Sequence, residues 1–580
     1  MPKTNPSEFM KLIPKILFLS FLLLLMNACS GAKQESADLV ITNALILTID
    51  EASPRAEAIA IKGETILAIG TNEEIQAYIN SEATEVIDAK GRLLTPGFND
   101  SHVHLDGIDP DYVDLRYITD QAEIARRVKK QIAITEKGEL VLGGNWEHEM
   151  FKDRQWPTKE TLDSVSPEHP VILYRADGHS VLANSLAMKL AGITDATPNP
   201  FGGTIMRDAK GKATGIFQEK ARGLITYTVK ANESSDKSSE TAKMEQWRAA
   251  FKHVASLGIT SVRRVCASLD SVAVDPSIYQ KFKELGELTY RVTFSGKFPA
   301  SDATLQEYSD LAKAYPPEND WIRFGPIKGH IDGTLGSGTM MVFEPFKDAP
   351  DIGLGLEQMP YDAFEERIVA ADKMNMQLTI HAIGPRGNDW VLNAYQKARD
   401  VNGKRDARHT IEHAQILRKE DIDRFNALNV VASMQPLHVV TDKRFAEKRI
   451  GMENLQYSYA WNSLNASGAH ISFGSDYPVE PLNPLFGLYA AITRKDLKGE
   501  SGEGWVPKEK ITLEKAIEFY TLGSSYGEFM EDRKGKLKKG YLADMVLFDR
   551  NLLSVQPAEL LESKVTYTIV GGKIVFKDEI

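Results

Sequence analysis

The sequence predicts an α/β protein: a (β/α)8 TIM barrel with a long insertion after its first strand, plus a small composite β-sandwich built from the N- and C-terminal segments. Three observations predict it. Eight short apolar stretches have strand composition, and most of those from Ile259 onward are separated by segments of helical periodicity. The first gap, about 150 residues between His104 and Ile259, is far longer than an ordinary strand-to-helix connection. Both ends of the chain are rich in β-branched residues.

At the N-terminus, Lys11 and Lys15 precede Ile16 to Met26, a run of eleven residues that is apolar except for Ser20. That is too short to span a bilayer comfortably, which takes about 20 residues. With small residues around Ala28-Cys29-Ser30 it fits a cleaved secretory signal over 1–28. Leu25-Met-Asn-Ala-Cys29 resembles a bacterial lipoprotein cleavage box, which makes Cys29 the lipidation site and predicts a membrane tether through a lipid anchor. A plain secretory signal or an uncleaved anchor is the alternative. Ser30 is not acidic, which favours the outer membrane, with the protein exported to the periplasm. If Cys29 is acylated, Cys266 is left alone and no intrachain disulfide forms.

After a tether (29–37), residues 38–92 contain two β-rich stretches, the second turning at Lys62-Gly-Glu64. The C-terminal segment (530–580) repeats this texture, and the two together form the predicted sandwich. The barrel occupies 93–529, with the inserted subdomain at 105–257. Its strands are read as Leu93 to His104, Ile259 to Val265, Tyr290 to Phe298, Ile322 to Asp332, Gln377 to Ile383, His409 to His413, Val430 to Gln435 and His470 to Asp476. Strand-like Glu139-Leu-Val-Leu-Gly143 and Pro170-Val-Ile-Leu-Tyr-Arg175 lie inside the insert.

Composition narrows the function. The 580 residues are 42% hydrophobic and 26% charged, ordinary for a globular protein. A formal charge of −11 and the lack of a basic run argue against a nucleic-acid partner. One long apolar run argues against a polytopic membrane protein. The partners expected are a small-molecule, amide-like substrate and, as an assembly, a homodimer.

Chemistry gathers at the predicted strand ends. His102 and His104, two apart on a strand, face the same way. Twelve His in this length give about a quarter of one His-x-His pair by chance, so the pair alone is weak. However, His381 ends the fifth strand, His413 the sixth and Asp476 the eighth, and C-terminal strand ends form the rim where barrel active sites gather. Imidazole and carboxylate suit Zn²⁺ and related ions. Singly, each has a bland reading: a His near a strand end is usually a hydrogen-bonded core residue, and an Asp before Tyr-Pro a turn former. Their coincidence at four strand ends favours a divalent-metal site. Trp146, His179, Gln435 and His438, with Glu219, are candidate substrate-binding residues.

These strings run in order along the chain: Leu94-Thr-Pro-Gly-Phe-Asn-Asp-Ser-His-Val-His104, Asp177-Gly-His-Ser180, Lys328 with Asp332-Gly-Thr-Leu-Gly-Ser337, and His381-Ala-Ile-Gly384. Ile411-Glu-His-Ala-Gln415, Ser433-Met-Gln-Pro-Leu-His438, Phe473-Gly-Ser-Asp476 and Gly540-Tyr-Leu-Ala-Asp-Met-Val546 follow. In them the chain resembles the amidohydrolase superfamily, specifically its family 3 branch of N-substituted formamide deformylase-like hydrolases. The resemblance implies two Zn²⁺ per chain, one held by His102 and His104 and the other by His381 and His413. It also implies that Lys328 bridges them as a CO₂-derived carbamate, and that Asp476 contacts metal and shuttles the proton as the catalytic residue.

The activity so implied is hydrolysis of a non-peptide C–N bond, in an amide, N-acyl or N-formyl compound, by metal-activated water. The alternatives are a cyclic amide, carbamate or ester hydrolase with the same site, and a non-catalytic solute-binding lipoprotein. Five residues at four places depart from the family pattern. Pro385 stands where Asp is frequent, Arg263-Arg264 where His-Asp is common, His330 where an aromatic or apolar residue is usual, and Gly338 where Arg is frequent.

Overall fold

The structure, a computed structural model, describes residues 35–108, 111–116, 118–230, 240–265, 276–499 and 502–578. The apolar run Ile16 to Met26, Cys29 and Cys266 lie outside the described residues, among which no helix is long and apolar enough to cross a membrane.

Eight parallel strands curl into a nearly closed barrel. They are β1 (Phe98–Val103), β2 (Ile259–Arg264), β3 (Arg291–Lys297), β4 (Ile322–His330), β5 (Leu378–Ala382), β6 (Thr410–His413), β7 (Val431–Met434) and β8 (Ile471–Phe473). Each pairs with the next in chain order. The seam from β8 to β1 closes at the C-terminal ends, where the N–H of Asp476 donates to His102 O and that of His104 to Tyr477 O, both at 2.8 Å. Gly474 permits the approach, because a Cβ there would lie 2.7 Å from His102 N. Every residue of β5 to β8 is buried, as expected for a parallel sheet covered on both faces.

The expected first strand, Leu93 to His104, divides at Gly97. Leu93–Pro96 pairs with Leu45–Leu47 and Met545–Phe548 in a sheet of the chain termini, and only Phe98–Val103 enters the barrel. The reason is steric: a Cβ at Gly97 would lie 2.2 Å from the Thr260 side chain, so the strand crosses between sheets hard against β2.

Polar side chains fill the barrel in layers. Near the floor, Asn99 Nδ2 donates to Glu528 Oε2 at 3.1 Å, and Lys534 Nζ lies 2.7 Å from the same oxygen. Above them the Arg263 guanidinium donates to Glu412 Oε1 at 2.8 Å and Ser433 Oγ at 3.1 Å. Helices pack outside through apolar faces. In Asp302–Ala314, Leu305 and Tyr308 are buried and Ser301 caps the N-terminus by accepting from Thr304 N. Pro385, one of the family departures, opens helix Pro385–Asn402 at its first turn, where a missing N–H costs nothing.

N-terminal residues form a four-stranded sheet, and residues from both ends form a six-stranded one. They share an apolar cluster that includes Ile41, Ile59, Leu94, Met545, Leu547 and Ile569. Between β1 and β2, a six-stranded mixed sheet contains Val141–Trp146 and Val171–Arg175, the two strands legible in the sequence. Its antiparallel strands Ser180–Ala183, Gly203–Arg207 and Ala213–Glu219 were not anticipated.

Candidate metal centre

The rim of the barrel brings four imidazoles into a row. Ring centroids are 4.9 Å apart for His104 and His102, 5.1 Å for His102 and His413, and 4.5 Å for His413 and His381. Each ring spends one nitrogen on a fixed acceptor. His102 Nδ1 is 2.7 Å from Glu412 Oε2 and His104 Nδ1 is 3.1 Å from Val265 O. His413 Nδ1 is 2.7 Å from Gln435 Oε1 and His381 Nε2 is 3.2 Å from Gly333 O. Such outward N–H bonds fix the tautomer and leave the other nitrogen as a lone-pair donor.

On that arrangement His102 Nε2 and His104 Nε2 face each other at 3.2 Å with lone pairs inward, and Asp476 Oδ1 joins them at 3.3 and 3.0 Å. Among the described residues no hydrogen-bond donor reaches that buried carboxylate oxygen. Three electron pairs converging without a proton between them fit a cation, and the donor set suits a divalent ion. His413, His438 and Asp476 form a second group with potential ligand atoms within 4.8 Å of one another. The protonation states agree. Burial pushes His104 down to about 4 and His381 and His413 well below the usual imidazole range. Neutral imidazole and ionised carboxylate are the ligand forms.

Lys328, on β4 and buried, places Nζ 3.5 Å from His102 Nε2. His438, at the start of helix His438–Ile450, sits between carboxylates, Nε2 3.2 Å from Asp476 Oδ2 and Nδ1 3.3 Å from Glu480 Oε1. His179 arrives from the insert; its ring lies 5.0 Å from that of His381 and its Nδ1 is 2.8 Å from Glu219 Oε2. Thr339 Oγ1 donates to Glu219 Oε1 at 2.7 Å and Gln358 Nε2 to Oε2 at 3.1 Å. Gly333 makes room, since a Cβ there would lie 2.3 Å from Glu219 Oε1. His413, Asp476 and Glu219 have φ of 73°, 59° and 50°. Left-handed backbone at non-glycine residues costs about 1–3 kcal/mol each and collects at functional sites.

A cavity of about 320 Å³ opens onto this centre, bordered by His179, His381, His413, His438 and Asp476. Two expected pocket residues are placed elsewhere. Trp146 is fully buried in the insert's core, its indole N–H donating to Leu173 O at 3.0 Å; strand alternation sends its neighbours Asn145 and Glu147 to the cavity instead. Gln435 is 1% exposed and sits behind His413, orienting the ring and not lining the cavity.

Other side chains at the site were not singled out in the sequence. Glu412 holds His102 and is held by Arg263, the departure on β2. Its signal was its place in Ile411-Glu-His413, whose alternation points Glu412 into the barrel. Arg175, 1% exposed, pairs with Glu147 and Asp177 at 2.5 Å each. Of the remaining departures, His330 packs 5.1 Å from His381, and Gly338 adopts φ 69° where a Cβ would lie 3.4 Å from Arg449 Nη1.

The fold and this site define a barrel protein organised around a divalent-metal centre. The model of the amidohydrolase family matches residues 85–576, so the chain belongs to the amidohydrolase family of metal-dependent hydrolases. It is 34% identical to Protein LONG AFTER FAR-RED 3 of Arabidopsis thaliana, over 93% of this chain and 91% of that protein. It is 27% identical to N-substituted formamide deformylase of Arthrobacter pascens, over 92% of this chain and 97% of that enzyme. Among solved structures, an uncharacterized metal-dependent hydrolase from Pyrococcus furiosus matches with a TM-score of 0.66 at 26% identity, covering 90% of this chain and 99% of that one.

Proposed function

We propose that the protein hydrolyses a non-peptide C–N bond in an amide, N-acyl or N-formyl compound. The observation that carries this is the convergence of His102 and His104 on Asp476, which lines a cavity sized for a small molecule. Divalent metal bound there would supply hydroxide at neutral pH and polarise a carbonyl oxygen. His102 and His104 would hold one ion, His381 and His413 the other, both as Zn²⁺, with Lys328 as the carbamylated bridge between them. The closeness of Lys328 Nζ to His102 supports that last role.

Asp476 is the proton carrier: Oδ1 faces the imidazole pair, where it can take a proton from water, and Oδ2 stays bonded to His438 while the proton passes to the leaving nitrogen. His179, beside His381, and His438, beside His413, border the cavity, placed to contact the carbonyl group. The relative named N-substituted formamide deformylase supports N-substituted formamides as the first substrates to try. We further place residues 1–28 as a signal and Cys29 as a lipid anchor that tethers the exported enzyme in the periplasm at the outer membrane. The units follow as 38–96 with 530–580, and the barrel from 98 to 529 carrying its insert at 105–257.

The test is amine release from a panel of N-substituted formamides and N-acyl amines. Turnover should vanish after chelation and return with Zn²⁺ and bicarbonate. Turnover that survives complete removal of metal contradicts the proposal.

A further inference from the structure

The carboxylates bordering the cavity are mostly committed. Glu147 and Asp177 pair with Arg175, and Asp476 and Glu480 flank His438. Asp496 is engaged as well. Asp442 differs. It lies four residues beyond His438 on helix His438–Ile450, so the two side chains share a face, about 6 Å apart along the axis. Its Oδ2 accepts from Tyr459 Oη at 2.6 Å and from Gln415 Nε2. Tyr459 is itself buried, and its N–H donates to Gln415 O at 2.7 Å, so both donors are anchored.

Two neutral groups therefore fix one oxygen of Asp442. No described residue donates a hydrogen bond to the other oxygen, and no described cation forms an ion pair with this carboxylate. The nearby walls are apolar, formed by Leu437, Val440 and Phe445. Among the basic residues around the cavity, Arg116 is paired with Asp114, Arg175 with its two carboxylates, Lys443 is engaged as well, and Arg444 and Lys498 are exposed at the rim. Burial pushes the Asp442 carboxyl up to about 6 against the opposing pull of His438 and Arg444, neither of which reaches it as an ion pair, and the rise reflects the cost of holding this group without a paired cation. A ligand that supplies one recovers that cost, and an analogue without it leaves the carboxylate unpaired.

Building on the hydrolase reading above, we propose that Asp442 Oδ1 is a subsite for a basic amine on the substrate. The favoured substrates are then amides whose amine or acyl part carries a second, cationic nitrogen about one helical turn from the reacting carbonyl. Tyr459 and Gln415 are positioning residues that hold the carboxylate in place.

The test is calorimetric binding to the full zinc-loaded chain. The probes are N-acetyl diaminoalkanes with three, four or five methylenes, each paired with the neutral N-alkylacetamide of the same length. At least one cationic probe should bind about tenfold or more tightly than its neutral partner, the scale of a charge-assisted hydrogen bond in a shielded site. Asp442→Asn should bring that ratio to within about threefold, and Tyr459→Phe, which keeps the carboxylate but loosens it, should give an intermediate value. Circular dichroism checks that each variant is folded. No cationic preference at any length, including no binding of either partner, overturns the subsite, as does a preference that survives Asp442→Asn. Acetate release scored on the same samples tests the hydrolase reading separately. Release without cationic preference removes only the subsite, whereas preference without release removes only the hydrolysis.

Discussion

Asp476 carries two tasks on two oxygens, Oδ1 toward the His102–His104 pair and Oδ2 on His438. Asp476→Asn keeps the size and loses the proton acceptor, so kcat should fall by about 10²–10⁴ with the fold intact, measured by amine release and circular dichroism together. Glu219 acts one step further back, aiming His179. Glu219→Ala should lower kcat by about 10–100-fold, the usual effect of removing a partner behind a site residue, while Glu219→Gln, which still accepts from the ring, should recover part of it. A KM change with kcat untouched would make His179 a binding residue only. At this scale the four His and Asp476 were legible in the sequence because few residue types ligate metal and strand ends have a fixed place in a barrel. Glu412 was not, because a buried charge is recognisable only once its partner from a distant strand is beside it, and Asp442 was not, because nothing local marks which helix residue borders the cavity. Trp146 misled for a local reason: aromatic character says nothing about which side of a strand a residue faces.

At the scale of elements, the insert is stitched to the barrel through polar side chains. Asp177 Oδ2 accepts from Arg175 and from Thr334 Oγ1 at 2.7 Å, and Ser180 Oγ lies 3.2 Å from Ser337 Oγ. Burial would raise Glu147 and Asp177, but Arg175 outweighs it: Glu147 is held at about 2, below its ordinary 4.5, and Asp177 is lowered as well. Between about pH 4.5 and 2 the unfolded chain therefore binds more protons than the folded one, so this contribution is present above that window and lost as pH falls through it. Glu147→Gln should flatten the rise of Tm with pH between about 3 and 4.5, and an unchanged slope would count against the pairing. At the other end of the barrel, Glu528 meets Lys534 with both side chains almost fully buried. Lys534→Met should cost about 3–5 kcal/mol in urea unfolding, because it leaves Glu528 without its closest cation. Long strands with helical spacers were readable from periodicity. The division at Gly97 and the short strands around Ser180 and Gly203 were not, because both depend on which distant backbone lies alongside.

For the whole molecule, three segments distant in sequence meet at one chemistry. The barrel supplies the imidazole row and Asp476, the insert delivers His179 with Glu219, and the segment after the last strand plugs the floor with Glu528 and Lys534. The eight-strand architecture followed from alternation of patterns along the chain, whereas the meeting of insert and barrel had no local signature. The central claim, that the imidazole row is a metal centre, is tested most directly by elemental analysis of protein purified without chelators or a histidine tag. About two Zn-like ions per chain are expected, falling when His102 and His104 are both replaced by Ala. One ion per chain would remove Lys328 from its bridging role. No metal, even after incubation with Zn²⁺ and bicarbonate, would contradict the account and leave a solute-binding barrel in its place.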